Sequence, residues 1–178
     1  MTTAADVVAH ARSRPARLGS TRLVCIDGPA GSGKTTLASR VAELAGASVV
    51  HLDDLYPGWE GLFEVDRIVL DLLGPLAEGR SGRYRRFDWT SYEFAESRVV
   101  EPAALLVLEG VGSGNQGWRD LVGTLVWVEA PEAVRFERGL ARDGESVRDR
   151  WVQWMHDEAR LFAQQRTRAA ADLVMTTG

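Results

Sequence analysis

Cysteine is almost absent from this chain of 178 residues: Cys25 stands alone, so neither a disulfide framework nor a cysteine zinc cluster can be built. Its place in the apolar run Leu23-Val24-Cys25-Ile26 marks it as a small buried hydrophobe. Histidine is scarce as well, and His10, His51 and His156 are too dispersed to suggest a metal cluster. Of these, His51 is expected on a strand beside the site. No stretch approaches the roughly 18 apolar residues of a membrane-spanning helix. The opening Met1-Thr2-Thr3-Ala4-Ala5-Asp6 lacks a basic segment followed by an apolar one. A soluble, cytoplasmic protein with no membrane partner is the expectation. The basic residues are scattered rather than gathered in a tail, and the formal net charge is −4, which argues against nucleic acid as a main partner. Internal repeats and low-complexity segments are missing too.

What is present suffices for one sizeable core: 45% of the residues are hydrophobic, and residues 1–178 are expected to form one domain. Gly28-Pro29-Ala30-Gly31-Ser32-Gly33-Lys34-Thr35 fills the P-loop pattern, directly after an apolar run and directly before the helix-like stretch 36–40. Glycines let backbone N–H groups turn inward around phosphates, and the helix N-terminus that follows adds partial positive charge. Gly28, Ala30, Gly31, Ser32, Gly33, Lys34, Thr35 and Thr36 are therefore the candidate ATP-binding residues. Lys34 is placed to reach the β and γ phosphates, and the Thr35 hydroxyl to meet Mg²⁺.

Five short apolar runs, near 22–27, 47–52, 103–108, 124–128 and 171–175, alternate with helical stretches. That pattern suits an α/β fold whose parallel sheet is buried on both faces. Helices are expected at about 3–13, 34–44, 65–76, 131–142 and 146–168. Ligands of such sheets gather beyond the carboxyl ends of the strands, where Asp27, Asp53-Asp54 and Glu109 stand. Asp27 directly precedes the loop and is expected to support it through backbone bonds. Asp53 is the better base for an attacking hydroxyl, or else a holder of Mg²⁺ or its waters, with Asp54 orienting the acceptor. Glu109 ends a buried strand, where a carboxylate needs a cation or donors. It is a Walker-B-like metal residue or a structural partner of the glycines after it.

The stretch between the second and third strands is far longer than one crossover requires. Its segment Arg83-Tyr84-Arg85-Arg86-Phe87-Asp88-Trp89 mixes guanidiniums with rings. An insertion at about 56–98 is thus expected to bind the acceptor, with Asp54, Tyr56, Arg83, Arg86, Phe87, Asp88, Trp89 and Tyr92 as candidates; a solvated loop is the alternative. Arg138 and Arg142 share one helix face four positions apart, before the hinge-like Gly144. They are either a lid over about 138–150 that closes on phosphates or a solvated face.

Taken together, Gly28 to Thr35, Leu52-Asp53-Asp54-Leu55-Tyr56, Phe87-Asp88-Trp89-Thr90-Ser91, Leu108-Glu109-Gly110 and Arg138-Gly139-Leu140-Ala141-Arg142-Asp143 resemble the uridine kinase-like group of P-loop nucleoside kinases, with phosphoribulokinase and pantothenate kinase relatives. The resemblance covers roughly residues 20–176. It implies a P-loop nucleoside triphosphate hydrolase fold with five parallel strands in the order 2-3-1-4-5. It also implies Asp53 as base, Lys34 and Thr35 on phosphates and metal, Glu109 by magnesium and substrate, Arg138 and Arg142 in the lid, and Ala171-Asp172 near the adenine. Two departures stand out. Tyr92 replaces a histidine of the uridine kinases, and Trp59 to Asp66 replaces a turn of His-Pro-Asp type.

The expected catalytic set is Lys34, Asp53, Glu109, Arg138 and Arg142, and the expected metal set is Thr35, Asp53 and Glu109. An ATP- and Mg²⁺-dependent phosphotransferase acting on a small-molecule hydroxyl, first of all that of a nucleoside or nucleotide, leads the readings. A P-loop NTPase switch and a nucleotide-binding module without turnover remain as alternatives. Monomer and homodimer are both open.

Overall fold

The computed structural model describes residues 2–178. Helix α1 (Ala4–Ser13) opens with a capping box between Thr3 and Asp6. Strand β1 (Arg22–Asp27) leads through the P-loop into α2 (Lys34–Ala45), which stops at Gly46 in the left-handed conformation. Then follow β2 (Ser48–His51), a short turn at Leu52–Asp54, α3 (Val65–Ala77), β3 (Gly82–Asp88), β4 (Glu93–Val100), β5 (Leu105–Glu109) and β6 (Val122–Glu129). The chain ends with α4 (Glu132–Asp143), α5 (Arg148–Gln165), α6 (Thr167–Ala170) and β7 (Leu173–Thr176).

Five strands form one parallel sheet in the order β2-β5-β1-β6-β7, which is 2-3-1-4-5 when only these strands are counted. Successive side chains of a strand point to opposite faces, so β1 feeds two cores. Val24 and Ile26 pack with Val7, Leu37, Val41, Val107 and Val126 under α1 and α2. Leu23 and Cys25 pack with Leu106, Leu125, Leu72 and Leu161 on the other side. The P-loop nucleoside triphosphate hydrolase fold follows from this order together with the loop between β1 and α2.

Two elements differ from their expected form. The arginine-rich insertion is an antiparallel hairpin, β3 on β4. Its alternation was hidden in the sequence by composition: Tyr84 and Phe87 are buried while Arg83 and Arg85 are exposed, and a register shift between Arg85 and Phe87 breaks the period. The expected helix over 146–168 begins at Arg148 and ends at Gln165. Arg166 there takes a left-handed φ of 50°, and α6 restarts beyond it.

The sheet and its loops are joined at Asp27. One carboxylate oxygen accepts the N–H groups of Gly28 (2.7 Å) and Gly112 (2.8 Å), and the other accepts that of Gly114 (2.8 Å). The group is fully buried, and desolvation pushes its pKa up to about 6 despite the three N–H donors that favour the charged form. A folded-state pKa above the unfolded value means that the native state binds the proton more tightly. Its stabilising contribution is therefore whole below the unfolded value and is lost as pH rises through 6. Asp27→Asn cannot ionise and leaves one N–H facing an amide. It should be less stable than wild type overall, and the gap in urea unfolding free energy should narrow by about 1–2 kcal/mol between pH 5 and pH 7.5. A gap independent of pH would contradict the raised pKa.

Candidate active site

The carboxyl ends of β1, β2 and β5 open into a cavity of about 700 Å³, bounded by the P-loop, the Asp53 turn, α4 and α5. The residue before α2, Gly33, has no side chain to bond the first N–H groups of the helix, so these remain available at the cavity mouth. Gly31, Gly33, Lys34, Thr35 and Thr36 line this side. Gly28 and Ser32 are buried beneath it. Lys34 is the only lysine in a chain with many arginines. Its amine donates to the Pro29 carbonyl at 3.0 Å, a compact point charge on a flexible stem at the base of the loop.

Ala30 touches the cavity, but its N–H donates to Glu158 Oε2 at 2.8 Å and is unavailable to a phosphate. The Gly28 N–H is likewise spent within the protein, on Asp27. The buried Glu158 carries no motif; its place in the apolar face of a long helix was the one available signal.

Glu109 is buried at the end of β5 and meets two partners. Its Oε1 accepts the Thr35 hydroxyl at 3.2 Å and lies 2.5 Å from His51 Nδ1, the residue opposite it on β2. The carboxylate raises the His51 pKa. Asp53 lies on the cavity wall, open to the water in it, and the protein around it together with the Glu109 charge still raises its carboxyl pKa. Among the described residues, no three histidine, cysteine or acidic side chains converge as a metal cage. The Thr35 hydroxyl and the Glu109 carboxylate, with Asp53 beside them, form a sparse set of oxygen donors. That chemistry suits a hard ion that keeps its waters and binds phosphates.

Arg138 and Arg142 reach the same cavity from α4. Arg138 donates to Gly31 O (3.3 Å), Thr177 Oγ1 (3.2 Å) and Gly178 O (3.1 Å). Arg142 is held by the Asp143 carboxylate at 2.7 and 2.9 Å, and the Trp151 indole N–H donates to the same carboxylate at 2.9 Å. Beyond β7, Thr177 Oγ1 donates to Ser32 O at 2.9 Å, so the segment near the P-loop is Thr177–Gly178. Ala171-Asp172, expected near the adenine, instead lies at the upstream end of β7, where Asp172 exchanges bonds with Leu125. The parallel register Val126↔Leu173 to Glu129↔Thr176 dictates this.

Five rings also line the cavity, Tyr56, Trp59, Trp89, Trp151 and Trp154, of which Trp151 lies against α4 under Arg142 at 5.8 Å. Trp59 makes edge contacts with Trp89, Trp151 and Trp154, with centroids at 5.6, 6.3 and 6.0 Å. The Trp89 indole N–H donates to Asp53 O at 2.8 Å and fastens the hairpin to the acidic turn. Of the acceptor candidates, Tyr56 and Trp89 line the cavity, and the other six do not. Arg83 faces a separate shallow groove. Arg86 is paired with Glu96 and Asp88, and Asp88 accepts Thr90 N–H and Ser91 N–H to close the hairpin turn. Asp54 pairs with Arg98 at 3.1 Å. Phe87 and Tyr92 pack behind Trp89, and the Tyr92 hydroxyl accepts the Trp59 N–H at 3.1 Å. Antiparallel pairing turns Arg86 toward Glu96 of β4 and leaves Arg83 in the groove beside Ile68 and Asp71 of α3. Trp151 and Trp154, remote in sequence, take their place on the cavity wall.

A family described as an AAA domain matches residues 24–162. Uridine kinase of Borrelia duttonii is 22% identical over an alignment covering 88% of this chain and 87% of the relative. Cytidylate kinase of Natronomonas pharaonis is 34% identical over 70% of this chain and 60% of its own length. Among solved structures, a candidate kinase of a fructose transport system from Silicibacter sp. TM1040 superposes with a TM-score of 0.69 at 22% identity, covering 98% of this chain and 99% of the other; at that identity the likeness speaks for the fold.

The angle between α4 and α5 depends on one close approach: a Cβ at Gly139 would stand 2.3 Å from the Trp151 ring. Gly139→Ala should destabilise the protein by about 1–3 kcal/mol, the usual cost of overpacking. Urea denaturation checks this, and wild-type stability would show that the two helices are not in contact there.

Proposed function

The chain belongs to the AAA domain family, as a P-loop kinase related to the uridine kinases, and we propose that it moves the γ-phosphoryl group of ATP to a hydroxyl of an uncharged, ring-bearing molecule of the nucleoside class. It is an ATP-dependent phosphotransferase acting on a small molecule. The acceptor class rests on one observation. The cations that line the cavity, Lys34, Arg138 and Arg142, all stand on the P-loop and α4; among the rings Trp151 alone lies under a guanidinium, Arg142 at 5.8 Å, while Tyr56, Trp59, Trp89 and Trp154 line the cavity with no cation over them. A phosphate on the acceptor would meet those rings without a partner, and an unpaired buried charge is expensive. A planar base would gain about 1–3 kcal/mol from each stacking ring.

In the proposed reaction the acceptor oxygen attacks the γ phosphorus, the bond from that phosphorus to the β–γ bridging oxygen breaks, and ADP leaves. Asp53 accepts the hydroxyl proton, and Lys34 with the free N–H groups at the start of α2 stabilises the transferring group. Arg142 exchanges Asp143 for phosphate oxygens as the 138–150 segment closes, while Arg138 stays anchored on the P-loop. Mg²⁺, when bound, would offset charge on the β and γ phosphates, with Thr35 and Glu109 as its holders and Asp53 beside them.

The test is ADP release measured with nucleosides, their monophosphates and simple sugars. A nucleoside should stimulate release, its monophosphate should not, and Lys34→Ala should lower the stimulated rate by at least about 10²-fold. Stimulation by the monophosphate would sink the uncharged acceptor. Release indifferent to any acceptor would favour an NTPase instead.

Two substitutions separate the walls of the cavity. Asp53→Asn should lower kcat by about 10²- to 10⁴-fold with the ATP KM within about threefold. Trp89→Ala should raise the acceptor KM about tenfold or more, whereas Arg86→Ala, whose guanidinium is engaged by Glu96 outside the cavity, should leave both KM values within about threefold. A large Arg86 effect would return the hairpin arginines to the acceptor site.

A further inference from the structure

Ala30, the third residue of the P-loop, has both of its backbone groups bound by side chains from the far half of the chain. Its N–H donates to Glu158 Oε2 at 2.8 Å, and its carbonyl accepts from an Arg135 terminal nitrogen at 3.2 Å. The same Arg135 nitrogen donates to Glu158 Oε1 at 2.8 Å. Arg135 stands on α4 and Glu158 on α5. The next residue, Gly31, packs against α4 so closely that a Cβ there would meet the Arg135 carbonyl at 2.5 Å, and its φ is +76°.

Glu158 is 2% exposed and Arg135 8%. A buried ion pair of this kind loses much of its Coulomb gain to desolvation, and apolar side chains of similar volume commonly stabilise as well or better. Here the cost is greater still, because Arg135 Nε is buried with no hydrogen-bond partner among the described residues. Stability alone is therefore a weak reason for the pair. Its geometry offers another. The Ala30 N–H lies in the Pro29–Ala30 peptide and the Ala30 carbonyl in the Ala30–Gly31 peptide, so the pair fixes two successive peptide units, and with the second of them the direction of the Gly31 N–H, which is trans to that carbonyl.

We propose that Arg135 and Glu158 are positioning residues for nucleotide binding: they lock the two peptide units that flank the Ala30 Cα so that the rest of the P-loop is preorganised for the ATP phosphates, and they tie that loop to the two helices carrying the 138–150 segment. Arg135 lies one turn before Arg138 and two before Arg142, so closure of that segment and the shape of the loop share one fulcrum. The inference rests on ATP binding at the loop and is independent of the acceptor.

The experiment is a direct ATP titration of purified protein, with Tm recorded in parallel. Arg135→Met combined with Glu158→Met fills the volume without charges and frees the Ala30 N–H. It should keep a cooperative unfolding transition and raise the Kd for ATP about tenfold or more, equivalent to about 1.4 kcal/mol. Glu158→Gln keeps the shape and an acceptor oxygen but loses the charge assistance, and should give a smaller rise of about threefold. It carries the test alone if the double variant does not fold. A merely structural tie would lower Tm and leave the ATP Kd where it was. A wild-type Kd in either folded variant, or a glutamine variant as impaired as the double one, would overturn the proposal. Because the readout is ATP binding, it stands or falls separately from the acceptor assignment.

Discussion

A single buried carboxylate, Asp27, holds the nucleotide side of this protein together. It receives N–H groups from Gly28 at the start of the P-loop and from Gly112 and Gly114 after β5. Those two loops approach each other because β1 and β5 are parallel neighbours, with Ile26 opposite Glu109. Backbone N–H groups in such a place need acceptors, and water cannot reach them. With Asp27 in position, Glu109 comes to rest beside Thr35 and His51, and the acidic floor of the cavity is built by strand register rather than by local turns.

From this floor the cavity divides by physical character. One side offers charge and directed N–H groups: the start of α2, Lys34, Arg138 and Arg142. The other offers rings from three separate parts of the chain: Tyr56 and Trp59 from the loop after β2, Trp89 from the hairpin, and Trp151 and Trp154 from α5. Edge contacts among these rings hold Trp59 at their centre. A wall of large, stiff side chains recognises shape at little entropic cost, since each ring has few torsions to freeze. The charged side instead depends on cations held by local partners, Lys34 by the Pro29 carbonyl and Arg142 by Asp143, which a more highly charged ligand can displace.

The hairpin shows how arginines can mislead. Two of its guanidiniums are spent on the hairpin itself, Arg85 on the carbonyls of Phe94 and Ala95 and Arg86 on Glu96 and Asp88, and Arg98 is spent on Asp54. What it contributes to the cavity is one ring, Trp89, supported from behind by Phe87 and Tyr92. A single lysine among many arginines points the same way. Arginine's planar fork suits pairing with carboxylates across a surface, whereas the P-loop position is filled by a slim, flexible point charge.

The P-loop, the run of short buried strands and the acidic strand ends were legible in the sequence because each is a local pattern with a local cause. Glycines at fixed spacing let the backbone turn, and continuous apolar runs cannot face water. Lys34, Thr35, Asp53 and Glu109 meet in one cavity because parallel strands deliver their carboxyl ends to one edge, and Arg138 and Arg142 join them from α4. The β3–β4 hairpin was not legible, since a register shift blurred its alternation and composition drew attention to its charges. Nor was the place of Ala171-Asp172, which depends on how far β7 slides along β6. Tertiary structure alone decided which rings face the ligand, because Trp151 and Trp154 reach the cavity only through the packing of α5 on α4. It alone brought Glu158 and Arg135 to Ala30, since a pairing across 128 residues leaves no periodic or local trace in the chain that forms it.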